Sequence, residues 1–197
     1  MRHPSIRELY DYWNTQRGSR AAPERADIEP GAIRRVLADT FIIACDARAG
    51  HPFRIAGTRL CAAFGRELKG LPFIALWNRP SQIQVRDLLG VVAQEMVGVI
   101  AAARGTGGDG AELDFELLVL PLRHRDRTDA RILGALAPAE VPYWFGVRSL
   151  GRLSLGTIRY LRPESTGSTM PVPGPITGEP EPAARRHRFI VHEGGRR

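Results

Sequence analysis

Few residues in the 197-residue chain have the type and spacing that catalysis needs. The loop GTGGDG at residues 105–110 is rich in glycine. It lacks the Lys-Ser/Thr pair and the following helix of a phosphate-binding loop, and it lies where a hairpin turn is expected. Asp114 and Glu116 share the face of a predicted strand that points to solvent. With no GxSxG or HExxH motif either, the sequence predicts a protein that is not an enzyme.

The cysteines and histidines do not form a ligand pattern. Cys45 and Cys61 lie in neither a CxxC motif nor a Cys/His spacing, so reduced thiols are expected. His51 and His124 fall at predicted turns, where a solvated side chain is the ordinary case, and no histidine lies between residues 52 and 123. The sequence therefore predicts no metal and no cofactor.

The charge is strongly positive, at +7 with a pI near 10.4, and Lys69 is the only lysine. The arginines are spread along the chain and alternate with acids, so a nucleic-acid partner is a minor alternative that would need them gathered on one face. The N-terminus lacks the apolar core of a secretory signal, and the most apolar run, residues 88–103, contains Gln94 and Glu95. A soluble, cytoplasmic protein of one domain is expected, without membrane association.

An amphipathic helix is predicted over residues 5–20, with Ser5 as its cap. Its apolar stripe consists of Ile6, Leu9, Tyr10 and Trp13. A short helix follows within residues 27–37, and residues 41–46 and 53–56 form adjacent antiparallel strands, with Phe53 and Ile55 expected on one face.

A long helix is expected to begin at the cap Asn78 and to end near Gly98. Three strand-like runs then form a meander, with turns at GTGGDG and HRDRTD. Beyond residue 161 the chain is rich in proline, glycine, serine and threonine, so a disordered tail with a short basic and apolar C-terminal segment is predicted over 162–197. Residues 1–40 form a helical cap and 41–161 the main domain.

Four stretches of this sequence resemble a PAS domain family of bacterial, alphaproteobacterial type. They are LYDYWNTQRGSRAAPERADIEP at residues 9–30, FRIAGTRLCAAFGRELKG at 53–70, LW at 76–77 and ILGALAP at 132–138. The resemblance implies an α+β, PAS-like fold: a five-stranded antiparallel sheet with short helices and one long helix on one face, preceded by the N-terminal helix. Cys61 lacks the Asn-Cys-Arg-Phe type signature of light-sensing PAS domains, so a buried, inert thiol is the better interpretation.

The resemblance also locates a candidate ligand site where the chain leaves the second strand and crosses to the helices. Glycines 57, 65 and 70 permit tight turns or close backbone approach there. The apolar walls would be Phe53, Ile55, Phe64, Phe73 and Trp77. Arg54 and Arg66 would bind an acidic ligand or partner, or pair with surface acids. The competing interpretation is that this aromatic cluster is a filled core.

Two functions stay open. The first is a stand-alone sensory or regulatory module that binds a small molecule, a protein partner or both, with homodimerisation through Ile6, Leu9, Tyr10 and Trp13. The second is a protein-interaction adaptor without a ligand, which predicts an exposed aromatic patch and no cavity. The ligand and the regulatory partner are not identified by the sequence.

Overall fold

The computed structural model describes residues 1–107, 110–123 and 130–161. All of them belong to one compact unit, Met1–Glu164. His124 and the predicted disordered tail, residues 162–197, lie outside the described residues.

One antiparallel sheet organises the chain. Its strands are β1 Thr40–Ala44, β2 Phe53–Ala56, β3 Gly98–Thr106, β4 Glu112–Leu122, β5 Arg131–Pro138 and β6 Ser154–Leu161, and their spatial order is β2-β1-β5-β4-β3-β6. The first five strands are those that the sequence predicts, and they confirm the α+β, PAS-like class. Strand β6 adds a sixth strand beside β3. Most of its residues are half-buried or exposed, so it carries no strong apolar alternation for sequence reasoning to find.

Within the described residues, three α-helices surround the sheet: α1 Pro4–Arg17, α2 Thr58–Ala63 and α3 Arg79–Glu95. Short 3₁₀ segments lie at Arg25–Asp27, Pro30–Ile33, Leu37–Asp39 and Phe73–Leu76. The short helix predicted within residues 27–37 is replaced by the 3₁₀ segment Pro30–Ile33, with the segments Arg25–Asp27 and Leu37–Asp39 at either end of that range. Asn78 caps α3 as predicted, because its Oδ1 accepts from the Ser81 N–H at 3.0 Å.

Three helix boundaries differ from the predictions. Helix α1 ends at Arg17 and not at residue 20. The cap of α1 is His3, whose Nδ1 accepts from the Ser5 N–H at 3.1 Å, so Ser5 already lies inside the helix. Helix α3 stops at Met96, which takes the left-handed conformation with φ of 54°, two residues before Gly98. Gly98 instead begins β3, where a Cβ would lie 3.0 Å from a Leu120 methyl.

The sheet buries apolar side chains on both faces. On the helix side, α2, α3 and the Phe73–Leu76 turn enclose a core that includes Phe41, Val99 and Leu117. On the outer face, α1 covers a second core that includes Leu118 and Leu133. Neighbouring residues of β4 and β5 therefore point into different cores, as expected for strands that are covered on both sides.

A β-bulge in β2 changes the faces that the sequence predicts for this strand. Phe41 pairs with Ala56 and Ile42 with Ile55, but Ile43 pairs with Phe53, so β2 contains one extra residue at Arg54. An extra residue interrupts the alternation of side chains. Phe53 therefore points to the helix side, whereas Ile55 lies beside Ile42 on the outer face.

The crossing from β2 to α2 depends on close contact between two backbone segments. A Cβ at Gly57 would lie 2.2 Å from the Leu37 carbonyl oxygen and 2.3 Å from that of Ala38. The Arg59 guanidinium then bonds both carboxylate oxygens of the fully buried Asp39, at 2.7 and 2.6 Å. Gly57 permits the approach, and this ion pair fixes α2 against it.

We expect Gly57→Ala to lower the free energy of unfolding by about 3 kcal/mol, because the new methyl group has no space against two carbonyl oxygens. Urea denaturation measures the change. The matched control is Gly90→Ala in α3, where nothing lies within 4 Å of the new Cβ. That variant is expected to gain up to about 1 kcal/mol from helix propensity. Equal effects of the two variants would contradict the close approach.

Candidate functional site

The predicted crossing site is a packed aromatic cluster. The ring centroids of Phe41 and Phe73 lie 5.2 Å apart, those of Phe53 and Phe73 5.5 Å, and those of Phe73 and Trp77 5.8 Å. None of these four side chains is more than 1% exposed. These are the spacings of directly packed rings, so the four side chains form one close-packed cluster between the sheet and the helices.

The structure brings four of the five predicted apolar walls together. Phe53, Phe64, Phe73 and Trp77 are all buried in the helix-side core. Ile55 is not with them: it is 43% exposed on the outer face because of the bulge at Arg54. Arg54 and Arg66 are exposed, and neither guanidinium makes a hydrogen bond or an ion pair within the part of the chain that the structure describes.

One polar atom in this core has no partner. The indole Nε1 of Trp77 is buried and has no acceptor within hydrogen-bond distance in the described chain. A buried donor of this kind costs free energy unless an acceptor reaches it. The Trp77 N–H is therefore an unsatisfied buried donor within the crossing.

The segment between β5 and β6, residues 139–153, forms a strap over the crossing. The Leu150 N–H donates to the Ala63 carbonyl at 2.8 Å, and the Leu153 N–H donates to that of Leu76 at 2.8 Å. Trp144, Leu150 and Leu153 are buried in the helix-side core. Sequence reasoning missed these anchors, although the aromatic run YWF at 143–145 was an available signal.

The same strap exposes three large apolar side chains. Tyr143 is 89% exposed, Val147 83% and Val141 63%. Tyr143 is next to the buried Trp144 in the sequence, and Val141 and Val147 are each three residues from it, so all three lie on the same short segment as this anchor. Exposed apolar residues on one segment are typical of interaction surfaces.

The residues predicted for dimerisation lie mostly inside the chain's own outer core. Ile6 and Leu9 are fully buried, and Trp13 is 3% exposed with its Nε1–H donated to the Pro121 carbonyl at 2.9 Å. Tyr10 is half-buried and stacks on Trp13 at 6.2 Å. The apolar stripe of α1 is thus occupied by the sheet of the same chain. Dimerisation through it stays a prediction that requires α1 to leave that position.

His51 is buried, and not solvated as the turn position suggested. It is 5% exposed, takes φ of 58°, and its Nδ1 has no partner within the described residues. Its backbone joins the β1–β2 turn to the aromatic cluster, since the Phe73 N–H donates to the His51 carbonyl at 3.1 Å. Burial lowers the pKa of the imidazole below its ordinary value of 6.5.

The two thiols have raised pKa values. Burial raises the pKa of Cys45 to about 11, and burial also raises the pKa of Cys61. Both are protonated at neutral pH and therefore weak nucleophiles.

In the described ranges, no group of three or more His, Cys, Asp or Glu side chains fits a metal ion. No helix in those ranges is long and apolar enough to cross a membrane.

Comparison with known proteins identifies the family. A family model described as a PAS domain matches residues 1–137, and the chain therefore belongs to the PAS domain family. The match confirms that the resemblance seen in the sequence is to a PAS domain. The comparison with curated proteins finds no match.

Solved structures to which this chain is similar include a LOV protein, a LOV variant and a PAS domain. The chain is 13% identical to the Rhodobacter sphaeroides LOV protein, with a TM-score of 0.42 over 52% of this chain and 59% of that chain. The chain is 16% identical to the RsLOV d2 variant, with a TM-score of 0.43 over 54% of this chain and 64% of that chain. This chain therefore spans about three fifths of each LOV chain. The chain is 17% identical to the PAS domain of an HTR-like protein from Haloarcula marismortui, with a TM-score of 0.35 over 55% of this chain and 90% of that chain.

We expect Phe73→Ala to lower the free energy of unfolding by about 3–5 kcal/mol, because it removes the ring that contacts three other rings. Ile55→Ala, at the other predicted wall, is expected to cost less than about 1.5 kcal/mol, since Ile55 is already half-exposed. Chemical denaturation of both variants tests whether Ile55 lies on the outer face of the sheet, away from the aromatic cluster around Phe73. A larger loss for Ile55→Ala would refute them.

We expect His51 to make the protein less stable in mild acid. Its folded-state pKa is lowered, so below the unfolded value near 6.5 the unfolded chain binds a proton that the folded chain does not. Stability should therefore fall as the pH drops through 6.5. In the His51→Asn variant, asparagine tolerates the left-handed backbone at this position. The stability of this variant should fall less as the pH drops, because the histidine that binds the proton is gone. Thermal unfolding of both proteins between pH 7.5 and 5 measures it, and parallel curves would rule the effect out.

Proposed function

We propose that this PAS domain is a non-catalytic regulatory module that acts by protein association through its strap, with a second copy of the chain as its partner. The observation that carries the proposal is the exposure of Tyr143, Val141 and Val147 on one short, anchored segment. Exposed aromatic and aliphatic side chains of this kind lose water when a partner covers them, and Tyr is enriched among residues that dominate binding.

The anchoring supports a defined contact surface. Trp144 and Leu150 hold the strap in the helix-side core, and backbone bonds join it to Ala63 and Leu76. A segment fixed before binding loses less conformational entropy when a partner covers it. The packed aromatic cluster behind the strap favours the adaptor over a sensor with a large interior cavity.

A small-molecule sensor is the second candidate, and the unpartnered Trp77 Nε1–H favours it. A ligand with a hydrogen-bond acceptor would satisfy this donor and stabilise the folded state. Because the surrounding rings are in direct contact, such a ligand would have to displace at least one of them. A small-molecule sensor therefore requires the aromatic cluster to open, whereas association through the strap does not.

We expect the double variant Tyr143→Ser/Val147→Ser to weaken the dimer by about 2 kcal/mol or more, because it removes the apolar contact surface without touching the core. Native mass spectrometry over a concentration series measures the dimer fraction. The control is Ile83→Ser, which changes an apolar side chain of α3 that is 67% exposed.

A monomer at every concentration, or a dimer equally stable in the double variant, would contradict association through the strap. The same spectra report on the second candidate. A stoichiometric small molecule that is released on denaturation and lost in Trp77→Phe would support the sensor with an interior ligand.

A further inference from the structure

A groove of about 800 Å³ lies on the outer face of the sheet, away from the crossing. Helix α1 packs across β4 and β5, and the groove lies over β3 and β6 beside the start of α1. Its lining side chains on the strands include Ile100, Ala102, Thr157 and Arg159. Volumes of roughly 300–1,000 Å³ are usual for small-molecule sites.

The strand register explains the shape of the groove. Ile100 of β3 pairs with Arg159 of β6, and Ala102 of β3 pairs with Glu116 of β4. The floor is therefore formed by the buried Ile100 and the small, exposed Ala102. The charged Arg159 and Glu116 lie on either side of it. Met1 and Pro4 add apolar surface to one wall.

This wall is held in place by Glu116. The Arg2 N–H donates to both carboxylate oxygens of Glu116 at 2.9 and 3.0 Å, and the His3 N–H donates to one of them at 2.8 Å. Trp13 fixes the other end of α1 to Pro121. Hydrogen bonds to β4 thus hold α1 at both ends, so the wall of the groove is in place before any ligand binds. A wall that is already fixed lowers the entropic cost of binding.

The acids of the groove are already paired, and two of its arginines are not. Asp114 bonds Arg104 at 2.6 Å, and Glu116 is occupied by backbone N–H groups. The guanidinium groups of Arg2 and Arg159 have no hydrogen bond or ion pair within the described residues, although both line the groove. The charge left for a ligand is therefore positive.

We propose that this groove binds a small anionic amphiphile, a carboxylate with an unbranched alkyl chain, whose head group pairs with Arg159 and whose chain lies over Ile100 and Ala102. A guanidinium is well suited to a carboxylate because it offers two parallel donors, and the apolar floor removes the alkyl chain from water. The site is separate from the strap and from the aromatic cluster, and it gives the module a ligand input that leaves its filled core unchanged.

The test is an NMR titration of the full chain with decanoate, with decyltrimethylammonium as a probe of the same chain length and opposite charge. Decanoate should shift the backbone amide signals of β3 and β6 around residues 100–104 and 157–159. Arg159→Ala should weaken decanoate binding by about tenfold, the usual loss for a hydrogen bond to a charged group. The matched control Arg79→Ala, an exposed arginine on α3 outside the groove, should leave it unchanged.

A second variant tests the floor independently of charge. Ala102→Leu places a larger side chain in the groove at an exposed position, so it should weaken decanoate binding while the thermal midpoint is kept. Three results would overturn the proposal: equal binding of the two amphiphiles, unchanged binding in both groove variants, or decanoate shifts that map to the helix side of the sheet.

Discussion

The constraint on which the structure depends is that the middle strands of the sheet are apolar on both faces. β1 is buried along its whole length, and in β5 only Arg131 is not buried. Both faces must therefore be covered. The helices and the aromatic cluster cover one, and α1 covers the other, which is why Ile6, Leu9 and Trp13 lie inside the chain.

Coverage of the outer face by a single helix leaves part of it open. An α-helix has a diameter of about 10 Å and neighbouring strands lie about 4.8 Å apart, so one helix covers only some of six strands. The open part lies over β3 and β6, where the outward side chains include the largely buried Ile100, the small Ala102 and the charged Arg159. Two opposite surfaces thus remain available for binding, the strap on the helix side and the groove on the outer side.

The crossing, which has the clearest sequence signature, has a mainly structural role. Gly57 allows β2 to turn beneath the carbonyls of Leu37 and Ala38, and the buried Asp39–Arg59 pair fixes the helix that follows. The aromatic rings then close the interior. A motif of glycines and aromatics accordingly indicates tight packing here. Among the described residues, the Trp77 Nε1–H and the His51 Nδ1 are the buried side-chain atoms without a hydrogen-bond partner.

The sequence by itself determined the elements whose periodicity is strong: α1, α3 with its Asn78 cap, and the first five strands. Local patterns suffice there because burial on one face imposes a fixed spacing on a helix, and strands buried on both faces, such as β1 and β5, appear as short continuous apolar runs. Tertiary structure alone decided the bulge that turns Ile55 outward, the added strand β6 and the strap anchored by Trp144. Each depends on contacts between residues far apart in the chain, and such contacts leave no period in the local sequence.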